Sequence, residues 1–167
     1  SLVGSEMCIR DRVITLSLAT QANAANVTQW NFNSVPADSS TSTGALNPSI
    51  GSGSLSTLSV TPSFASGSAN GGSSDPVTVD DTGFGITGFA TPGTENKLRG
   101  LQFNVSTLGF EDIVINYDLR HSNTSSRYEQ FQYSLDGTSF IDFALFDGNA
   151  GDTWFNNRTV DLSVSYT

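Results

Sequence analysis

Between Leu101 and Leu135 apolar and polar side chains alternate along three stretches, and that period of two constrains the chain more than any other feature. Leu101, Phe103 and Val105 alternate with Gln102 and Asn104. Ile113, Ile115, Tyr117 and Leu119 alternate with Val114, Asn116, Asp118 and Arg120, and Phe131, Tyr133 and Leu135 alternate with Gln130, Gln132 and Ser134. Successive side chains of a strand point to opposite faces, so the pattern buries one face of a sheet and wets the other. A helix would scatter the same residues around its circumference. Three amphipathic strands are therefore expected. Asp136-Gly137 then supplies residues that tolerate positive φ at a hairpin turn, with Phe140 to Phe146 as the returning strand. Trp154 to Leu162 gives one more.

The first half is less sharply written. Val27 to Asn33 alternates, which makes Trp30 and Phe32 core candidates. Residues 34 to 83 hold 14 serines and four of the five prolines, so long loops around short edge strands such as Leu55 to Val60 are expected there. Ser (25), Thr (18), Gly (16) and Asn (13) together make 72 of 167 residues, a composition that suits strands and turns rather than helices. Eight or so short strands and no amphipathic helix predict an all-β, two-sheet antiparallel β-sandwich, jelly-roll-like in its connections.

The two ends read differently from the middle. The opening Ser1 to Arg12, SLVGSEMCIRDR, resembles a translated sequencing-adapter tag that recurs at the ends of metagenomic reading frames, and Val164 to Thr167 resembles the start of its counterpart. Both are read as non-native. Residues 13–24 follow as a short apolar run ending in Ala22-Asn23-Ala24, the remnant of a secretory signal peptide cleaved after Ala24. An ordinary first strand is the alternative. Residues 25–163 then form the domain. Cys8, the only cysteine, falls in the tag, which leaves the domain without a thiol for a disulfide or a zinc site. The charge of −9 offers no basic stripe for phosphates, so neither nucleic acid nor an anionic membrane surface is an expected partner.

Several phrases also resemble a known family. Trp30-Asn31-Phe32-Asn33, Thr41 to Gly44, Asn47 to Gly53, Gly100 to Thr107, Asp118 to Thr124 and Phe131 to Gly137 are similar to the secreted bacterial β-sandwich module of proteins bearing a C-terminal PEP-CTERM sorting signal. The resemblance covers nearly all of residues 28 to 163 and implies an exported, cell-surface or extracellular-matrix protein. It carries over no catalytic residue. In that family a closing strand and a sorting segment follow. This sequence shows neither after Ser163, so the resemblance implies a sandwich lacking its final strand, anchored to a membrane only through a segment not among these residues.

Chemistry-bearing residues are few. His121 is the sole imidazole, and in a strand Asp118 points to the opposite face, so His121 reads as a rim histidine of the core rather than a catalytic one. Glu111-Asp112 and Asp80-Asp81 are adjacent carboxylates of the kind turns display to solvent. Asp147, Asn149 and Asp152, gathered on one Gly-rich loop, are the best candidates for structural calcium; a plain turn is the competing reading and no cofactor is required. Asn116, Asp118, Arg120, Tyr128, Gln130 and Gln132, with Gln102 and Asn104, are assigned to one outward sheet face. Amides, a guanidinium and an aromatic ring on a single face suit weak contacts to sugars. The expected function is a non-enzymatic module for surface or matrix association, with extracellular polysaccharide as the partner. An accessory domain of a larger secreted hydrolase or nuclease is the alternative.

Overall fold

The computed structural model describes residues 2–4, 25–76, 79–126, 128–148 and 151–163, and it is all-β. The signal-peptide segment, Asn149 and the last four residues lie outside the described residues. In chain order the strands are β1 (Leu2–Gly4), β2 (Thr28–Gln29), β3 (Ile50–Gly51), β4 (Ser54–Leu58), β5 (Thr61–Ser66), β6 (Thr82–Thr87), β7 (Gly100–Val105), β8 (Val114–Arg120), β9 (Tyr128–Tyr133), β10 (Ile141–Asp147) and β11 (Trp154–Asp161). The pairs β2/β3, β4/β7, β5/β6, β8/β11 and β9/β10 are antiparallel, and β1 runs parallel to β7.

The core lies between the β9/β10 pair and the β8/β11 pair, which face each other as the two layers of a sandwich. Phe131, Tyr133, Val160 and Leu162 are buried there, with Ile113, Ile115, Tyr117, Phe143, Ala144 and Phe146 packed around them. Burying one such large side chain contributes about 2 kcal/mol. The rings interlock: Tyr117 stacks on Phe131 at 6.5 Å, and Phe143 meets Phe131 and Tyr133 edge-on at 6.3 and 6.0 Å. The alternation of β8 and β9 is thus realised with odd-numbered residues inside.

Two bulges reset the phase of the partner strands. In β11 the register shifts between Phe155 and Arg158, with Asn157 at φ 56°, so Phe155 opposes Leu119 while Arg158 opposes Tyr117. Both therefore face the core, and Trp154, opposite Arg120, faces outward. In β10 the shift falls between Asp142 and Ala144.

Three expectations are corrected. The strand expected over Val27 to Asn33 stops at Gln29, because Phe32 sits at φ 60°, outside extended geometry; Trp30 and Phe32 are half-buried in loop. The loop-rich half contains a real strand pair, β5/β6, which brings Phe64 opposite Phe84. Leu135 leaves the core phase and is largely exposed, because β9 ends at Tyr133 and the turn begins.

That turn is organised by Asp136. Its Oδ1 accepts the N–H of Thr138 (2.8 Å) and of Ser139 (2.7 Å) and the hydroxyl of buried Ser134 (2.9 Å), while Gly137 takes φ 73°. The Ser139 and Thr138 bonds hold the Asp136 carboxyl well below its ordinary pKa of 3.8. A depressed folded pKa means that the stabilisation is complete above the unfolded value and is lost as pH falls below it. The N–H groups of Thr138 and Ser139 are accordingly expected to exchange faster below about pH 4. In Asp136→Asn, which keeps the acceptor oxygen but cannot titrate, that acid dependence should vanish from this segment. Its persistence in the variant would trace the effect to another group.

Candidate functional site

The eight polar residues assigned to one sheet face do not share it. Gln102 and Asn104 belong to the β4/β7 sheet, where Asn104 reaches Ser54 Oγ at 3.4 Å. Asn116, Asp118 and Arg120 point outward from β8, and Tyr128, Gln130 and Gln132 point outward from β9. Because β8 and β9 belong to facing layers, these two triplets emerge on opposite sides of the sandwich. The sequence period fixes which side of its own strand a residue takes; strand pairing decides which strands share a surface.

The β8 triplet is largely engaged by its own chain. Residues 67–74 fold over the outer surface of β8/β11: Trp154 Nε1 donates to the Ala69 carbonyl (2.7 Å) and Asn156 Nδ2 to the Gly72 carbonyl (3.1 Å). Asp118 accepts the N–H and hydroxyl of Ser74 (2.5 and 2.8 Å) on one oxygen and the Asn157 N–H (2.7 Å) on the other. It thereby fixes both the covering loop and the β11 bulge. Asn116 accepts from Thr159 at 2.7 Å. Arg120 Nε stands 3.5 Å from Asp152 Oδ1.

That last contact bears on the calcium candidates. Asp152 already faces a guanidinium, Asp147 closes β10 opposite Tyr128, and Asn149 lies outside the described residues. Among the described residues no three His, Cys, Asp or Glu side chains gather to hold a metal ion.

The β9 triplet does share one surface with its partner strand. The register places Tyr128 opposite Asp147, Gln130 opposite Leu145 and Gln132 opposite Asp142. Tyr128 is 52% exposed and Leu145 63%. Gln130 Nε2 donates to the Ala144 carbonyl (2.9 Å), and Gln132 Nε2 to Asp142 Oδ1 (2.8 Å), whose other oxygen pairs with Lys97. Both amides are held in fixed orientations beside an exposed phenol ring. Lys97 first, then Gln132, lowers the Asp142 pKa, which keeps this carboxylate charged.

His121 is 7% exposed. Its Nδ1 lies 2.9 Å from the Ser126 carbonyl, an atom that only accepts, so Nδ1 carries the proton; Nε2 has no hydrogen-bond partner among the described residues. Phe155 meets the ring edge-on at 6.1 Å. With Asp118 committed on the other face, no carboxylate–imidazole relay is assembled there.

Carboxylates occupy unexpected places. Asp80 and Asp81 are not solvated turn residues but are 1% and 8% exposed. Asp80 accepts the N–H groups of Asp38 and Ser39 at 3.1 and 2.7 Å, tying residues 38–39 to the start of β6. Burial first, then the charges of Asp81 and Asp118, raises the pKa of nearby Asp75. Glu111 and Asp112 are exposed as expected.

The most developed polar cluster lies inside the sandwich. Glu129 faces inward between the layers, accepts the Tyr117 hydroxyl on Oε1 and pairs with Arg158 through Oε2. The guanidinium lies 4.5 Å from the Phe146 ring centre and 4.7 Å from that of Phe155. Burial, followed by the Glu129 hydrogen bond and charge, pushes the Tyr117 hydroxyl far above its ordinary pKa, so it remains a donor. The period of β9 places Glu129 in phase with Phe131 and Tyr133, which was the signal for a buried carboxylate.

One cleft of about 440 Å³ opens on the other side of the fold, between β4, β5 and β6. Leu46, Leu55, Pro62, Phe64 and Phe84 give it apolar walls, and Ser56, Thr57 and Ser63 supply hydroxyls. Its residues come from the Ser-rich half, where no sharp period marks them. Comparison with protein-family models, curated proteins and solved structures gives no match to this chain.

Proposed function

We propose that this chain is the folded module of an exported protein of the PEP-CTERM kind. It acts without catalysis, associating with a cell surface or extracellular matrix through weak contacts to polysaccharide. The observation that supports this reading is the outer surface of β9/β10, where an exposed Tyr128 ring stands beside the oriented amides of Gln130 and Gln132 and the Asp142 carboxylate. A ring face packs against the C–H groups of a sugar while amide and carboxylate oxygens accept from its hydroxyls. Few such groups on an open face bind weakly, which suits attachment through many copies.

A glycan-array screen of the chain tests it. Tyr128→Ala is expected to weaken polysaccharide binding about tenfold, the equivalent of one lost stacking contact. Arg120→Ala, on the opposite side of the sandwich, should leave binding unchanged. No binding to any glycan, or equal losses in both variants, would remove the proposal.

The cleft beside Phe64 and Phe84 favours a second reading, in which a small apolar or sugar ligand binds between β4, β5 and β6. Binding abolished by Ser63→Trp and retained by Tyr128→Ala would select it. As an accessory domain of a secreted hydrolase or nuclease, the chain would use either surface to hold substrate. A reading frame that joins it to a catalytic domain would support that version.

A further inference from the structure

Two strand edges face each other across one gap. β7 is paired with β4 on one side and β9 with β10 on one side, and the other edges of both border β1, which hydrogen-bonds to β7 and packs beside β9. The register is parallel, with Leu2 opposite Phe103, Val3 opposite Asn104 and Gly4 opposite Val105. The gap is therefore one strand wide, and three residues of extended backbone fit it. Among residues 25–163, no described strand pairs with either edge.

We propose that the gap between β7 and β9 is an acceptor for one extended strand donated by a partner polypeptide. The inference rests on the reading that residues 1–24 are removed on export, which takes β1 away and opens the gap. Unpaired backbone N–H and C=O groups at a sheet edge are the recognition element for strand addition, and alternate side chains supply specificity. The position opposite Phe103 falls on the side where Trp30 packs edge-on to Phe103 at 5.0 Å, so the donor carries an aliphatic residue there. The position opposite exposed Asn104 accepts a polar one. At a chain charge of −9, a neutral or basic donor is favoured over an acidic one.

The full chain carries the test through Val3→Pro, which removes a ladder donor and keeps β1 from pairing. Hydrogen exchange is read on residues 100–105 and 128–133, with residues 114–120 of β8 as the internal reference. Both edge segments are expected to lose protection together, about tenfold, while β8 keeps its own. A synthetic Ser-Leu-Val-Gly-Ser-Glu-Met peptide at about 1 mM should restore both. Unchanged exchange in β7 and β9, loss in β7 alone, or no restoration by the peptide would overturn the acceptor. Protection regained through dimerisation of Val3→Pro would assign the donor to a second copy and overturn the separate partner. Should Val3→Pro unfold the chain, the same peptide carrying a photo-crosslinker on its valine is added to the unaltered chain. Labelling within residues 100–105 and 128–133 supports the gap, and labelling elsewhere overturns it. None of these readouts involves glycan binding, so this proposal and the polysaccharide reading fail separately.

Discussion

Arg158→Ala is expected to destabilise the fold by about 3–5 kcal/mol, more than any surface substitution in the chain. The Arg158 side chain is 10% exposed and its partner Glu129 21%, so neither charge is well solvated and each depends on the other. Removing the guanidinium strands the carboxylate between the two layers with only the Tyr117 hydroxyl as partner. It also empties the space between Phe146 and Phe155, whose ring centres lie 4.5 and 4.7 Å from the guanidinium carbon. Loss of those cation–π contacts adds to the cost, because they are desolvated. Urea denaturation measures the change, and the melting temperature should fall on the order of 10 °C. The triple variant Tyr117→Phe, Glu129→Leu, Arg158→Met replaces the whole cluster by apolar groups of similar size. It should recover most of the loss, since a buried ion pair adds little net stability over a well-packed apolar substitute. A loss below about 1 kcal/mol in Arg158→Ala would mean that water reaches Glu129 freely, as at an exposed pair.

The cluster also shows how far the sequence is legible. A period of two identifies the inward phase of β8 and β9, and it implicates Glu129 without naming its partner. The partner is hidden by the bulge at Asn156 and Asn157, which turns both Phe155 and Arg158 toward the core. Strict alternation over residues 154–162 would instead put Trp154 inside with Val160. One inserted residue thus exchanges a tryptophan for the guanidinium that neutralises Glu129. Trp154 is then left to pin the 67–74 loop through the Ala69 carbonyl.

The same limit governs the surfaces. Tyr128, Gln130 and Gln132 share a face because they lie on one strand, and this survives folding. Asp118 and Arg120 were grouped with them by composition, yet the β8/β11 and β9/β10 pairing sends them to the far side. In the Ser-rich half, β5 and β6 are short and carry small residues, so neither period nor propensity separates them from loop. What identifies them is the contact of Phe64 with Phe84, a long-range fact. Burial of Asp80 is similarly set by the N–H groups of residues 38 and 39, more than forty positions away in sequence.

That aromatic contact depends on a glycine, and Gly44→Ala is expected to cost about 1–3 kcal/mol, with Gly44→Val costing more. A Cβ on Gly44 would come 2.7 Å from both Cδ1 and Cε1 of Phe64 and would overlap the Phe32 carbonyl oxygen. Neither neighbour yields easily. Phe32 holds φ 60°, accepts the Ala45 N–H at 3.2 Å and stacks on Phe84 at 5.3 Å, while Phe64 packs on Phe84 at 5.4 Å. Gly44 itself is outside the left-handed region, so the cost is steric rather than torsional. Gly100→Ala separates the two causes, because its added Cβ meets nothing within 4 Å and its φ is also unexceptional. That control should stay within about 0.5 kcal/mol of the unaltered chain. Phe64→Leu placed in the Gly44→Ala background removes the ring edge and should return part of the loss, a coupling visible in a double-mutant cycle. Since Phe64 and Phe84 form walls of the cleft, the Gly44 variant should also alter any ligand affinity measured there while leaving the Tyr128 surface unaffected. A Gly44→Ala chain as stable as the original would mean that the three rings move aside without resistance, and the cleft would then have no fixed shape with which to select a ligand.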